Sequence, residues 1–134
     1  MPPKAKFTKE EIVEAALSIV KTDGFEALTS RALGTRLGSS ARPIFTVFQN
    51  MDEVQQAVIE STKALYKEYV DQGLTWEHPF KGVGMQYILF SIHEPKLFQL
   101  LFMTEQPSIP DLSGVLPLIE ESYFQLHHIL NLIQ

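Results

Sequence analysis

Cysteine is absent from this 134-residue chain. That excludes a disulfide framework and any thiolate metal site, and it suits a reducing compartment. Long apolar runs are also missing, since stretches such as 97–103 fall far short of the ~20 residues a membrane span needs. Lys4 and Lys6 near the N-terminus are followed by no apolar run, so the pattern of a secretory leader is lacking. A soluble, cytoplasmic protein with no membrane partner is therefore expected. There are no β-hairpin signals, internal repeats or low-complexity segments. Nor is there a Gly-rich phosphate loop, a G-x-S-x-G elbow or a helical H-E-x-x-H motif. His78, His93, His127 and His128 share no metal-ligand spacing. The sequence gives no positive sign of an enzyme, and neither a cofactor nor a metal is expected.

What is present is enough apolar material for a core, 45% of residues, and a charge that divides unevenly. The formal net charge is −5, yet residues 1–50 carry seven Lys/Arg against five acids, while residues 51–134 carry four against eleven. Phosphate would be repelled by the second part, so any contact with nucleic acid belongs to the first.

The periodicity is helical throughout. Thr8 and Glu11 have capping-box spacing, with Phe7 and Ile12 placed for a hydrophobic staple. Ile12, Ala15, Ala16, Ile19 and Val20 then form one stripe of a helix that stops near Asp23, with Gly24 as a left-handed cap. Thr29 caps a short second helix over 30–37 that buries Leu33 and Leu37. Gly34, in its middle, costs about 1 kcal/mol relative to alanine, which implies a close approach by a neighbouring element. Gly38, Ser39 and Ser40 form a turn into a third helix, either capped by Ser40 or beginning with Pro43 at its first position, and ending at Gln49. Asn50 and Glu53 start a long helix to about Gln72, ended by Gly73. Pro79 opens another to His93, and Pro95 separates it from a short helix over 96–104. Pro107, Pro110 and Gly114 mark a loop, and 116–134 reads as a final helix. The fold class is all-α: a three-helix head over 1–50 and a helical body over 51–134.

Two short helices joined by a glycine-containing turn, with a supporting helix before them, are the parts of a helix-turn-helix DNA-binding head. In the third helix Ile44, Val47 and Phe48 share the inward face. Arg42, Phe45, Thr46 and Gln49 share the outward one. The ordered set Ala15-Ala16, Gly24-Phe25, Thr29, Leu33-Gly34, Gly38-Ser39-Ser40 and Ile44-Phe45 with Phe48 resembles the N-terminal domain of TetR/AcrR-type transcriptional repressors. Asn50-Met51-Asp52-Glu53-Val54 extends the likeness to more than a third of the chain.

The resemblance implies a homodimeric repressor that reads a palindromic double-stranded DNA operator and responds to a small-molecule effector. Its candidate DNA contacts are Lys4 and Lys6 in the arm, Thr29, Ser39, Ser40 and Ala41, and the outward set Arg42, Phe45, Thr46 and Gln49. Where such repressors usually carry Tyr, this chain has Phe45; where they carry a small residue then Thr, it has Arg42-Pro43. Val47 and Met51 replace a frequent His and Lys. Several of those positions contact phosphate, so weaker electrostatic binding is expected. Tyr87, Phe90, Phe98, Phe102, Met103 and Phe124 are candidates for an effector pocket, against the plainer reading of a bundle core. The apolar residues of 116–133 lie on more than one helical face, which points to a second copy as partner. The competing function is a helical small-molecule-binding or interaction protein whose head no longer engages DNA.

Overall fold

The computed structural model describes residues 6–103. The described residues are all-helical: α1 (Lys9–Asp23), α2 (Ser30–Arg36), α3 (Met51–Leu74), α4 (Pro79–His93) and α5 (Pro95–Phe102), with 3-10 turns over Phe25–Ala27 and Arg42–Thr46. The expected final helix over 116–134 lies outside them.

The starts of the helices follow from local chemistry. Thr8 accepts from the Glu11 amide and Glu11 Oε1 accepts from the Thr8 amide, both at 3.1 Å, closing a reciprocal box. Thr29 accepts from the Ala32 amide at 3.1 Å, and Asn50 from the Glu53 amide at 3.0 Å. Pro79 and Pro95 stand in the first turns of α4 and α5, where a missing N–H costs nothing. Gly24 ends α1 at φ 94°, ψ 166°. This is a positive-φ cap as expected, but in the region that only glycine visits readily rather than the left-handed helical one.

Two expectations are corrected. Gly73 does not end the long helix. It lies buried inside α3, which runs on to Leu74, and a Cβ built on it would fall 2.5 Å from the carbonyl carbon and oxygen of Gly82. Gly73 and Gly82 are the point at which α3 and α4 touch backbone to backbone. Leu37, expected in the core, is only half-buried at the C-cap of α2.

A single cluster of buried residues runs from Ile12, Ala16, Leu33, Ile44 and Phe48 through Val54 and Val58 to Tyr66, Phe90, Leu97 and Leu101. Packing of α1 on both α3 and α5 is what makes it continuous. The same junction carries a Lys21–Glu94 ion pair at 3.8 Å. Its partly exposed partners make this at most a minor stabilising term, about 0–1 kcal/mol.

Candidate nucleic-acid interface

The third element of the head is shorter and tighter than the periodicity implied. It is a 3-10 helix over Arg42–Thr46, and the α-helix expected to continue to Gln49 does not form. The Pro43 carbonyl, which an α-helix would pair with the Val47 amide, accepts the Thr46 hydroxyl at 2.8 Å. The Val47 amide donates instead to the Ile44 carbonyl at 3.1 Å, the i to i+3 pairing of a 3-10 turn. Downstream the Gln49 amide is taken by Glu53 Oε2 at 2.9 Å, which commits the chain to the start of α3.

The division of faces survives this change. Ile44 is fully buried and Phe48 is 4% exposed, whereas Arg42, Thr46 and Gln49 are exposed and Phe45 is 42% exposed. Val47 is half-buried, packed against the core from its edge. A short 3-10 turn separates inner from outer side chains well enough because Ile44 and Phe48 remain bonded i to i+4, Phe48 donating to the Ile44 carbonyl at 2.9 Å.

The turn that aims this element is set by glycine. Gly38 has φ 72°, the conformation L side chains avoid. Gly34 lies beneath the turn, and a Cβ there would be 2.7 Å from the Ser40 carbonyl carbon and 2.8 Å from the Ala41 nitrogen. The approaching element is thus the turn itself. Both atoms are backbone, so they cannot rotate away. Gly34→Ala should gain about 1 kcal/mol of helix propensity and lose about 1–3 kcal/mol to overpacking. The expected outcome is a net loss of up to about 2 kcal/mol in urea denaturation, with faster amide exchange over residues 40–48; a more stable variant would show that the turn can give way.

Of the sequence-derived DNA set, the structure brings Lys6 to the turn. Its Nζ donates to Ser39 Oγ at 3.4 Å across 33 positions of sequence. Ser40 is exposed, while Ser39 and Ala41 are half-buried. Thr29 is occupied as an acceptor by its own cap, which leaves its hydroxyl proton free to donate outward. Lys4 lies outside the described residues.

Two further groups of the head, which pattern reading passes over, lie beside residues already described. Lys9 holds its ammonium 5.6 Å from the centre of the Phe48 ring, tying α1 to the third element. Arg31 and Thr35 join Thr29 around a shallow hollow of about 480 Å3 between α1 and α2. Arg31 was visible as a charge two residues beyond the Thr29 cap; nothing local distinguished it from a solvated arginine. Arg36 is engaged elsewhere, donating to Ser18 Oγ.

In the body, Tyr87, Phe90, Phe98 and Phe102 do come together. Phe98–Phe102 at 5.0 Å and Tyr87–Phe98 at 5.1 Å pack edge to face, and Tyr87–Phe102 at 5.5 Å is tilted. Tyr66 joins them from α3, 5.2 Å from Phe90 and 5.1 Å from Phe102. The pocket reading omitted Tyr66, although it continues the stripe of Val58, Thr62 and Val70. Burial pushes the Tyr87 hydroxyl pKa above its ordinary value; for Tyr69 burial and then the Glu94 carboxylate do the same. Both rings therefore stay neutral at physiological pH. Met103 is 70% exposed at the end of α5, and Phe124 lies outside the described residues.

A buttressed short helix, a glycine-supported turn and a solvent-facing third element make up a helix-turn-helix unit. Over 54 residues the chain is 33% identical to an uncharacterized HTH-type transcriptional regulator of Mycobacterium tuberculosis (strain ATCC 25618 / H37Rv). That stretch covers 40% of this chain and 25% of that protein, so the likeness is to a part about the size of one head. No family model matches the chain, and no solved structure matches it.

Proposed function

We propose that the chain is a transcriptional regulator of the TetR/AcrR type, a repressor that binds a palindromic double-stranded DNA operator as a homodimer and releases it when a small molecule occupies the body. The observation that carries the DNA part is the segregation on the third element. Ile44 and Phe48 are buried while Arg42, Phe45, Thr46 and Gln49 face solvent, with Lys6 beside the turn. An arginine at the start of that element is suited to fork onto guanine O6 and N7, and Phe45 to meet a thymine methyl. The lysines and Thr29 supply the phosphate contacts that fix register. A single head with so few free cations would bind weakly, so two heads about 34 Å apart on adjacent half-sites are required. The similarity to an HTH-type regulator supports the DNA-binding part of this reading.

The test is fluorescence anisotropy against a pool of genomic fragments at low and moderate salt. The expected result is selection of one palindromic sequence with salt-dependent affinity; binding no better than to a random duplex at either salt would overturn the reading. On the selected operator, Arg42→Ala should cost about 1–3 kcal/mol and relax preference at one base pair. A uniform loss over all sequences, with a shallower salt dependence, would reassign Arg42 to phosphate.

Phe45 favours a second reading. A 42%-exposed phenylalanine on the outward face is an apolar contact offered to a partner. In that reading the chain is a helical interaction protein whose head has left DNA. The same titration separates the two.

A further inference from the structure

We infer that the third element tells DNA sequences apart by the 5-methyl group of a pyrimidine close to a guanine, so that 5-methylcytosine serves where thymine does and cytosine methylation strengthens binding. This rests on the DNA-binding reading and deepens it. Within Arg42–Thr46 only Arg42 and Thr46 carry side-chain hydrogen-bond donors, and the Thr46 hydroxyl proton is spent on the Pro43 carbonyl at 2.8 Å. Thr46 is left as an acceptor. Ile44, between Arg42 and Phe45, is fully buried. What the element offers a base edge is therefore one forked donor, the Arg42 guanidinium, and one phenyl ring, that of Phe45.

The 3-10 winding sets the distance between them. At three residues per turn positions i and i+3 eclipse, so Arg42 and Phe45 stand in one row along the element, about 6 Å apart at a rise of about 2.0 Å per residue. On an α-helix the same two positions would be turned about 60° from each other. The row is held from behind. Ile44 and Phe48 are fixed in the core, and the Ser40–Ala41 backbone just before Arg42 rests on Gly34. Successive bases follow at about 3.4 Å, so the two side chains meet base edges no more than about two base pairs apart.

The chemistry of those edges completes the assignment. In the major groove guanine presents the O6 and N7 acceptors that a guanidinium forks onto, and thymine presents a methyl group on C5. 5-Methylcytosine carries the same methyl at the same position. A ring without a polar atom gains from that methyl and is blind to the group on C4, an oxygen in thymine and an amine in 5-methylcytosine. Against uracil or plain cytosine the ring meets only a C–H, and the apolar contact is lost.

The test uses the full-length protein and the operator selected above, read by fluorescence anisotropy. Each thymine of one half-site is replaced in turn by deoxyuridine, which pairs identically and lacks only the methyl, and each guanine by 7-deazaguanine, which lacks N7. One thymine should stand out, with binding weakened about fourfold when its methyl is removed. It should lie within two base pairs of a guanine whose 7-deaza form is also bound less tightly. At that thymine's position a 5-methylcytosine–guanine pair should bind about fourfold more tightly than a cytosine–guanine pair. Phe45→Ala should remove both differences, and Phe45→Gln repeats the comparison if circular dichroism shows Phe45→Ala unfolded. Several results would overturn the assignment: no thymine sensitive to its methyl, a sensitive thymine farther from the guanine, 5-methylcytosine bound no better than cytosine, or a methyl effect undiminished in the Phe45 variants. A titration that selects no operator overturns the regulator reading itself, whereas a selected operator blind to the methyl overturns only the role of Phe45.

Discussion

Phe48→Ala is expected to lower the unfolding free energy by about 3–5 kcal/mol, enough to consume much of the 5–15 kcal/mol typical of a folded domain. Phe48 is 4% exposed and sits in the one cluster that also holds Ile12, Leu33, Ile44 and Val54. Alanine would remove a whole ring, and the neighbours cannot collapse into the space. α1 is held from the other side by α3 and α5, and the turn leading into the third element is pinned by its contact with Gly34. The Lys9 ammonium loses the ring it lies over, a further loss of about 0.5–1 kcal/mol at an exposed site. Urea denaturation followed by circular dichroism reads the effect. A midpoint indistinguishable from the parent would mean that Phe48 is not the anchor of the head. Phe48→Leu, which keeps most of the volume, should cost much less.

Gly82→Ala should destabilise the body although alanine is the better helix former. A Cβ at Gly82 would lie 1.9 Å from the Gly73 carbonyl oxygen, 2.7 Å from its carbon and 2.8 Å from Trp76 Cγ. Trp76 is 40% exposed and can move; the Gly73 carbonyl is part of the α3 backbone and cannot. The two helices must separate, and that strain reaches the aromatic contacts of Tyr66 and Tyr69 with Phe90 farther along the same crossing. Propensity returns about 1 kcal/mol, while forced repacking costs about 1–3 kcal/mol and more where backbone is the obstacle. The expected outcome is a lower melting temperature by several degrees in calorimetry, at roughly 4–8 °C per kcal/mol for a unit of this size. A rise in melting temperature would show that α3 and α4 do not cross as closely as described. Gly73→Ala should behave alike, since its Cβ would meet Gly82 backbone at 2.5 Å.

The two glycines also mark where sequence reading stops. By its local sequence Gly73 marks the end of a helix, because glycine after a periodic run is a common stop signal. The information that another glycine, nine positions on and in the next helix, lies against it is carried by neither residue alone. Gly34 is more legible. Its place in the middle of a short helix implies a close neighbour, and only the identity of that neighbour, the Ser40–Ala41 backbone, comes from the structure.

What the sequence determined by itself is everything governed by groups three or four residues apart. The caps at Thr8, Thr29 and Asn50, the prolines opening α4 and α5, and the inward pairing of Ile44 with Phe48 each follow from side chains meeting their own backbone or one helical face. Those interactions hold whatever the rest of the chain does. What only the tertiary structure decided involves partners distant in sequence: Lys6 at Ser39, Lys9 over Phe48, Tyr66 joining Phe90 and Phe102, and the backbone contact of α3 with α4. The shortening of the third element to Arg42–Thr46 stands between the two. Its Thr46 hydroxyl on the Pro43 carbonyl spans three residues, while Ile44 and Phe48 hold the element through burial in the shared core, and burial of two large side chains outweighs the placement of one exposed hydrogen bond.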